Sequence, residues 1–198
     1  MTKKLIVALH GVGSNARDMM SALQPLTSQA DVVALDGPEP FHANALGRQW
    51  FSVAGITEAN RPGRVKAAVP QLLEMLDRVA QDRGVRRDDF VLIGFSQGAI
   101  MTLAAIAGGH FHGHAVAIAG RLAAEVASQG QPANLLLVHD RDDPVMPPTL
   151  SVEAGAALSR AGHQVHGART AGVGHGIGET TTSIINRWLA GAKLENAV

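Results

Sequence analysis

Short apolar runs that alternate with longer helical patterns constrain the fold of this chain more than any other feature of its sequence. The runs are rich in Val, Ile and Leu and mostly lack alternating polar residues, as strands do when helices cover both faces of a parallel sheet. Strands that alternate with helices predict an α/β fold with a mostly parallel, doubly wound sheet and helices on both faces. The sequence predicts buried strands at 5–9, 32–35, 90–94, 115–120 and 135–139, and a strand nearer the sheet edge at 163–169.

Helical patterns fill most of the intervals between these strands. Pro70 lies inside the first pattern, so we expect that helix to kink or to start afresh there, because proline lacks a backbone N–H. Two long connections, 36–63 and 120–134, interrupt the alternation, and part of the second is expected to be helical. Long connections in a compact α/β domain usually shape or cover a site. The predicted helices are at 64–84, 97–109, 149–162 and 175–191.

Length, charge and composition narrow the class of protein. The 198 residues are expected to form a single domain over 1–198 with no separate lid domain. Seventeen basic residues balance seventeen acidic ones, so nothing favours a nucleic acid or a membrane surface as partner. The absence of cysteine excludes disulfides and cysteine nucleophiles. No apolar run resembles a secretory signal or approaches the ~18–20 residues of a membrane span, so we expect a cytoplasmic protein without membrane insertion.

The pentapeptide Gly94-Phe95-Ser96-Gln97-Gly98 has the pattern G-x-S-x-G and joins a predicted buried strand to a predicted helix. A nucleophile elbow requires that context, because its serine hydroxyl projects from a sharp strand-to-helix turn. The alternative is that Ser96 is only a small polar residue at such a turn. The helix N-terminus beside Ser96 favours developing negative charge, which suits the catalytic interpretation.

Among nine histidines, His175 is the best candidate for a general base, because it follows a predicted strand and precedes the last predicted helix. Sites in open α/β sheets collect at the carboxyl ends of the strands, and the glycines around His175 leave room for an imidazole. Capping of the last helix is the alternative role. His110, His112 and His114 could bind a metal, but no acidic or cysteine partner lies beside them, so we expect an exposed turn and no metal site.

The acid that orients the base should follow the strand at 135–139. Asp143 is the first candidate because Pro144 biases it towards an extended backbone and stiffens its position. Asp142 is the alternative, whereas Asp140 is expected to pair with Arg141 or to cap a turn. The resulting order of serine, acid and histidine is the one described for α/β-hydrolases.

An oxyanion site needs two backbone N–H donors. The amide of Gln97 is one candidate, since it follows the nucleophile, and the amide of Val12 is the other, with Gly13 as its alternative. Both loop residues lie in a glycine-containing segment after the first strand. That segment lacks G-K-[ST] and a full G-x-G-x-x-G, so we do not expect it to bind a nucleotide.

Five motifs together resemble the phospholipase/carboxylesterase family of α/β-hydrolases, which includes bacterial carboxylesterases and acyl-protein thioesterases. The motifs are LHGVGSN, GRQWFS, GFSQGAIM, DDPVMP and GHGIGE, and the resemblance spans Leu5 to Trp188. It implies an α/β-hydrolase fold, the assignments above for the triad and the oxyanion amides, and a place for Trp50 near an acyl-binding groove. The sequence departs from the family in its acid loop, where the usual H-G is His139-Asp140 and the usual V-V-P contains Met146.

These features predict a serine hydrolase that cleaves carboxylic esters, or thioesters, of small to medium acyl chains through an acyl-enzyme. Candidates for the acyl pocket are Phe41, Trp50, Phe51 and Met146, with ordinary packing as the alternative. No cofactor or metal is expected, and a homodimer stays open. The competing functions are an acyl-protein thioesterase, a lysophospholipase, or a non-catalytic binding protein of the same fold.

Overall fold

The computed structural model describes residues 3–127 and 131–191. Most of its strands belong to one sheet, and the six predicted strands are all found within a few residues of their expected bounds. The strands are β1 (Lys4–Leu9), β2 (Ala30–Leu35), β3 (Glu39–Pro40), β4 (Arg48–Gln49), β5 (Val91–Phe95), β6 (His114–Ile118), β7 (Asn134–Asp140) and β8 (Gln164–Thr170). Six of them form a parallel sheet of order β2-β1-β5-β6-β7-β8, whereas β3 and β4 form a separate antiparallel pair.

Helices cover both faces of the sheet, which confirms the predicted fold class. The helices are α1 (Ala16–Ala22), α2 (Arg61–Arg83), α3 (Gln97–Ala107), α4 (Thr149–Arg160) and α5 (Glu179–Leu189). One buried cluster joins α2, α3 and α4 to the sheet, and a second joins α1 and α5 to the opposite face. Among the described residues, no helix is long and apolar enough to cross a bilayer.

The helices differ from the sequence-based expectations at three places. The short helix α1 was not predicted from the sequence, although Asn15 caps it by accepting a hydrogen bond from the amide of Asp18. The connection at 120–134 contains no helix within its described residues. Helix α2 does not start afresh at Pro70 but runs through it, because Val65, Val69 and other residues of its buried face hold it against the core while Pro70 lies on the exposed side.

The parallel arrangement brings several loops to one edge of the sheet. Strands β1, β5, β7 and β8 all end there, since parallel strands have their carboxyl ends on the same side. The segments that follow these strands are 10–15, 96–97, 141–148 and 171–178. These segments contain the predicted nucleophile, acid, base and oxyanion amides.

Two glycines allow α3 to approach the sheet more closely than any side chain would permit. A Cβ atom on Gly94 would lie 2.3 Å from the carbonyl oxygen of Gly98, and one on Gly98 would lie 2.2 Å from the carbonyl oxygen of Leu9. Every residue of α3 is buried. The beginning of α3 therefore packs against the carboxyl end of β1 and lies beside the end of β5, the strand that precedes it.

We expect Gly98→Ala to lower the free energy of unfolding by about 1–3 kcal/mol or more, because the new Cβ must displace the backbone of β1. Gly63→Ala is the matched control, since Gly63 also lies in the first turn of its helix but has no atom within 4 Å of a built Cβ. That variant should gain about 0.4–1 kcal/mol. Urea unfolding of both variants measures the difference, and equal stabilities would contradict the close-packing argument.

Candidate active site

Ser96 occupies a strained backbone conformation between β5 and α3. Its φ of 51° and ψ of −112° lie outside the regions that a serine readily adopts. The amide of Ser96 donates to the carbonyl oxygen of Ile118 at 2.9 Å, which ties the turn to the end of β6. Strain of this kind costs about 1–3 kcal/mol and persists at functional sites when surrounding contacts enforce it.

The structure brings His175 between Ser96 and Asp143. His175 Nδ1 lies 2.7 Å from Asp143 Oδ2, and His175 Nε2 lies 2.9 Å from Ser96 Oγ. Because an ionised carboxylate only accepts hydrogen bonds, Nδ1 carries the hydrogen and Nε2 is free to accept one from the serine hydroxyl. The ring of Phe95 lies beside the imidazole, with centroids 5.1 Å apart.

The carboxylate of Asp143 is buried and held from two sides. Its Oδ1 accepts hydrogen bonds from the amides of Val145 at 2.8 Å and Met146 at 2.9 Å. Burial would raise the pKa of Asp143, but the hydrogen bonds from His175 and these two amides outweigh burial and lower the pKa below its ordinary value. Asp143 is therefore ionised at neutral pH and fixed in orientation.

The other two aspartates of the acid loop lie elsewhere. Asp142 is exposed and pairs with Arg141 at 3.2 Å, so the structure brings Asp143 rather than Asp142 to His175. The expected pairing of Asp140 with Arg141 is wrong. Asp140 is buried and accepts hydrogen bonds from the amide of Asp142 and from the hydroxyl of Thr170 at the end of β8. Its position in a tight Asx turn agrees with the other expectation for this residue.

A second histidine, which the sequence analysis did not single out, lies behind the acid. His139 Nε2 lies 3.2 Å from Asp143 Oδ2 and 2.8 Å from the carbonyl oxygen of Met146. Both neighbours are acceptors, so Nε2 carries a hydrogen. His139 Nδ1 lies 2.6 Å from Ser151 Oγ on α4. Only the end-of-strand position of His139 could have indicated this role in advance.

The loop after β1 approaches Ser96 closely. A Cβ built on Gly11 would lie 3.2 Å from the Cβ of Ser96. The amide of Gly13 donates to the carbonyl oxygen of Arg48 at 2.9 Å, so it is already engaged. Val12 lies between them and is 37% exposed. The amide of Gln97 is in the first turn of α3, where backbone N–H groups have no partner within the helix.

The side chain of Gln97 fastens the segment that contains Trp50 and Phe51. Its Oε1 accepts from the amide of Trp50 at 2.8 Å, and its Nε2 donates to the carbonyl oxygen of Phe51 at 2.8 Å. The indole N–H of Trp50 donates to the carbonyl oxygen of His10 at 2.9 Å. The sequence analysis considered only the backbone amide of Gln97, so this use of its side chain was missed.

The four candidates for the acyl pocket fall into two pairs. Trp50 and Phe51 are 2% and 3% exposed and belong to the hydrophobic core, so the structure does not bring them to an open groove. Phe41 is half-buried and lies against Gly13, where a built Cβ would be 3.1 Å from its ring. Met146 is also half-buried and lies next to the acid loop.

His10, which directly follows β1, is fully buried. Its Nε2 accepts from the amide of Gly37 at 2.8 Å, and its Nδ1 donates to the carbonyl oxygen of Gly11 at 2.7 Å. The bond that Nε2 accepts from Gly37 requires the neutral ring. Burial lowers the pKa of His10 below 6.5 and outweighs the bond to Gly11, which favours the charged ring. Within residues 3–127 and 131–191, no three His, Asp or Glu side chains are grouped to hold a metal ion, and this includes His110, His112 and His114.

The parallel sheet, the strained serine and the adjoining histidine define an α/β-hydrolase. Residues 1–192 match the phospholipase/carboxylesterase family. The esterase YpfH of Escherichia coli (strain K12) is 38% identical over 179 residues, which are 88% of this chain and 77% of YpfH. The chain therefore belongs to the phospholipase/carboxylesterase family and is an ester-hydrolysing enzyme of the carboxylesterase type.

Solved structures agree with this assignment. Esterase PE8 is 27% identical with a TM-score of 0.83, and the match covers 97% of this chain and 94% of PE8. The Bacillus cereus carboxylesterase is 22% identical with a TM-score of 0.77, over 96% of this chain and 89% of that enzyme. At the latter identity the likeness supports the fold alone.

We expect the stability of the protein to fall as the pH drops below about 6.5, because the unfolded chain then binds a proton that folded His10 does not. Burial lowers the pKa values of His114 and His163 too, so they act in the same direction. His10→Gln should show a smaller slope of unfolding free energy between about pH 7 and about pH 5. Urea titrations over this range test the prediction, and an unchanged slope would contradict it.

Proposed function

We propose that this enzyme hydrolyses carboxylic esters of small to medium acyl chains by two-step acyl transfer through Ser96, His175 and Asp143. The observation that carries the proposal is the unbroken chain of hydrogen bonds from Asp143 through His175 to Ser96. It ends at a serine with strained backbone angles at the start of a helix. A non-catalytic binding protein would have no need of that strain together with that alignment.

In the first step, Ser96 Oγ attacks the carbonyl carbon of the ester while its proton moves to Nε2 of His175. Asp143 accepts from Nδ1 throughout, so it fixes the tautomer and stabilises the imidazolium that forms. The same imidazolium then donates its proton to the departing alcohol, which leaves an acyl group on Ser96. In the second step, His175 removes a proton from water, which attacks the acyl carbon. The imidazolium then returns this proton to Ser96 Oγ as the acyl–oxygen bond breaks, which releases the acid and the free serine.

The developing oxyanion is held by the amides of Val12 and Gln97. Gly13 is set aside because its amide already donates to Arg48, whereas the amide of Gln97 points out of the first turn of α3. Each donor in such a site is worth about 10²–10³ in rate. The bonds of the Gln97 side chain to Trp50 and Phe51 hold this amide in place.

The acyl chain lies against Phe41 and Met146 in this proposal. Both side chains are half-buried beside the site, one against the oxyanion loop and the other in the acid loop. Trp50 and Phe51 support the site from within the core instead of touching the substrate. Thioesters present the same carbonyl to the same nucleophile, so thioesterase and lysophospholipase activities are variants of this chemistry.

A fluorophosphonate probe tests the nucleophile directly. We expect one covalent adduct on the peptide that contains Ser96, and none in Ser96→Ala, because only an activated serine attacks the phosphorus. Intact mass and peptide mapping measure the adduct, and matched ester and thioester substrates then establish the preference. An unlabelled wild-type protein with a normal unfolding transition would overturn the proposal and favour a binding function.

The acid is tested by a matched pair of variants in the same loop. Asp143→Asn should lower kcat by about 10⁴-fold, because the amide cannot hold the histidine in the required tautomer. Asp142→Asn should leave kcat nearly unchanged, since Asp142 is exposed and pairs only with Arg141. Steady-state hydrolysis of a chromogenic ester measures both, and equal losses would contradict the assignment of Asp143.

A further inference from the structure

The loop that contains His175 has little of its own to fix it. Residues 171–178 include four glycines, and two of them, Gly172 and Gly174, have positive φ angles of 75° and 66°. Glycines provide no side chains for packing and allow many backbone conformations. The alignment of His175 with Ser96 therefore depends on contacts that other elements make with this loop.

Asp140 makes one of these contacts, with the backbone of the loop. Its Oδ2 accepts hydrogen bonds from the amide of Val173 at 3.0 Å and from Thr170 Oγ1 at 2.9 Å. Its Oδ1 accepts from the amide of Asp142 at 3.0 Å. Asp140 is only 3% exposed, so water competes little for these bonds. The carboxylate of Asp140 thus bonds to two loops. It bonds to the base loop (171–178) two residues before His175, and to the acid loop (141–148) one residue before Asp143.

The backbone places this carboxylate at the junction of the two loops. Asp140 is the last residue of β7 and lies directly opposite Thr170, the last residue of β8. The amide of Arg141 donates to the carbonyl oxygen of Thr170 at 3.0 Å, so the two strands separate only beyond this point. The acid loop and the base loop therefore separate beyond Asp140 and Thr170. They come into contact again where His175 bonds to Asp143.

The carboxylate of Asp140 is held in its charged form. Burial would raise its pKa, but the hydrogen bonds from Val173, Asp142, Thr170 and Gly174 outweigh burial and lower the pKa below its ordinary value. Bonds to a charged acceptor are stronger than bonds to a neutral one. An asparagine could not replace these bonds, because its NH₂ group would face an N–H or O–H donor on one side.

We propose that Asp140 is a positioning residue that fixes the His175 loop relative to the acid loop through the bonds of its carboxylate to Val173, Thr170 and Asp142. This inference rests on the proposed triad. Asp140 touches neither Ser96 nor the imidazole, so it acts on the rate through the placement of His175.

Asp140→Asn should lower kcat by up to about 100-fold, because a misplacement of the base by about 1 Å has an effect of that size. KM should stay nearly constant, since substrate binding does not involve the carboxylate. Rates are expressed per active site counted with the fluorophosphonate probe, so a loss of folded protein does not lower them. Asp142→Asn is the matched control in the same loop and should retain the wild-type kcat.

Thr170→Val provides a second variant that removes one bond and keeps the shape of the side chain. We expect a smaller fall in kcat at constant KM. Hydrogen exchange measured on peptides that cover 171–178 should be faster in both variants than in Asp142→Asn. Asp140→Asn removes the charged acceptor of the Val173 amide, and Thr170→Val removes a bond that holds this acceptor in place. If Asp140→Asn does not fold, Thr170→Val alone decides the test.

The outcomes separate this inference from the proposed function. An unlabelled wild-type enzyme overturns the triad itself. A labelled wild type whose Asp140→Asn and Thr170→Val variants keep their kcat per titrated site overturns the positioning role, even where exchange is faster. A fall in kcat that is matched by an equal rise in KM also overturns it, because Asp140 would then affect substrate binding.

Discussion

The close approach of α3 to the end of β1 is the contact on which the rest of the site depends. Gly94 and Gly98 make it possible, and the resulting sharp turn holds Ser96 in its strained conformation. The same turn aims the side chain of Gln97 at the segment that contains Trp50, which it fastens by two hydrogen bonds. A single backbone approach thus positions Ser96, the backbone amide of Gln97 and the segment that contains Trp50.

Buried carboxylates act as acceptors that fix the two loops at 141–148 and 171–178. Asp143 accepts from two amides and from His175, and Asp140 accepts from the loop on either side of it. Buried carboxylates are costly unless donors surround them. Here the backbone amides of the loops supply those donors. The amides stabilise the ionised carboxylates, and the carboxylates in turn hold the loops in one conformation.

The sequence predicted the sheet, and it predicted that Ser96, Asp143 and His175 follow strands that end at one edge, because both predictions depend on where apolar strands end. The turn-capping contact of Asp140 was expected, but its bonds to Thr170 and Val173 and the bond of His139 to Ser151 were not, since these partners are distant in the sequence. Arg141 is next to Asp140 in the chain, but their side chains diverge at the end of β7, and the real partner Thr170 is 30 residues away. Trp50 lies in a polar, turn-rich stretch, so its burial depends on Gln97 and could not be inferred from local pattern.

The segments on the two sides of Ser96 are held by chemically different side chains. The segment that contains Trp50 is held by the side-chain amide of Gln97, a group that does not ionise. The opposite side, which presents His175, is held by the carboxylates of Asp140 and Asp143, whose bonds weaken once the pH falls through their lowered pKa values. Protonation of these carboxylates therefore loosens the side of the site that presents His175, whereas the two hydrogen bonds of the Gln97 side chain do not depend on the pH.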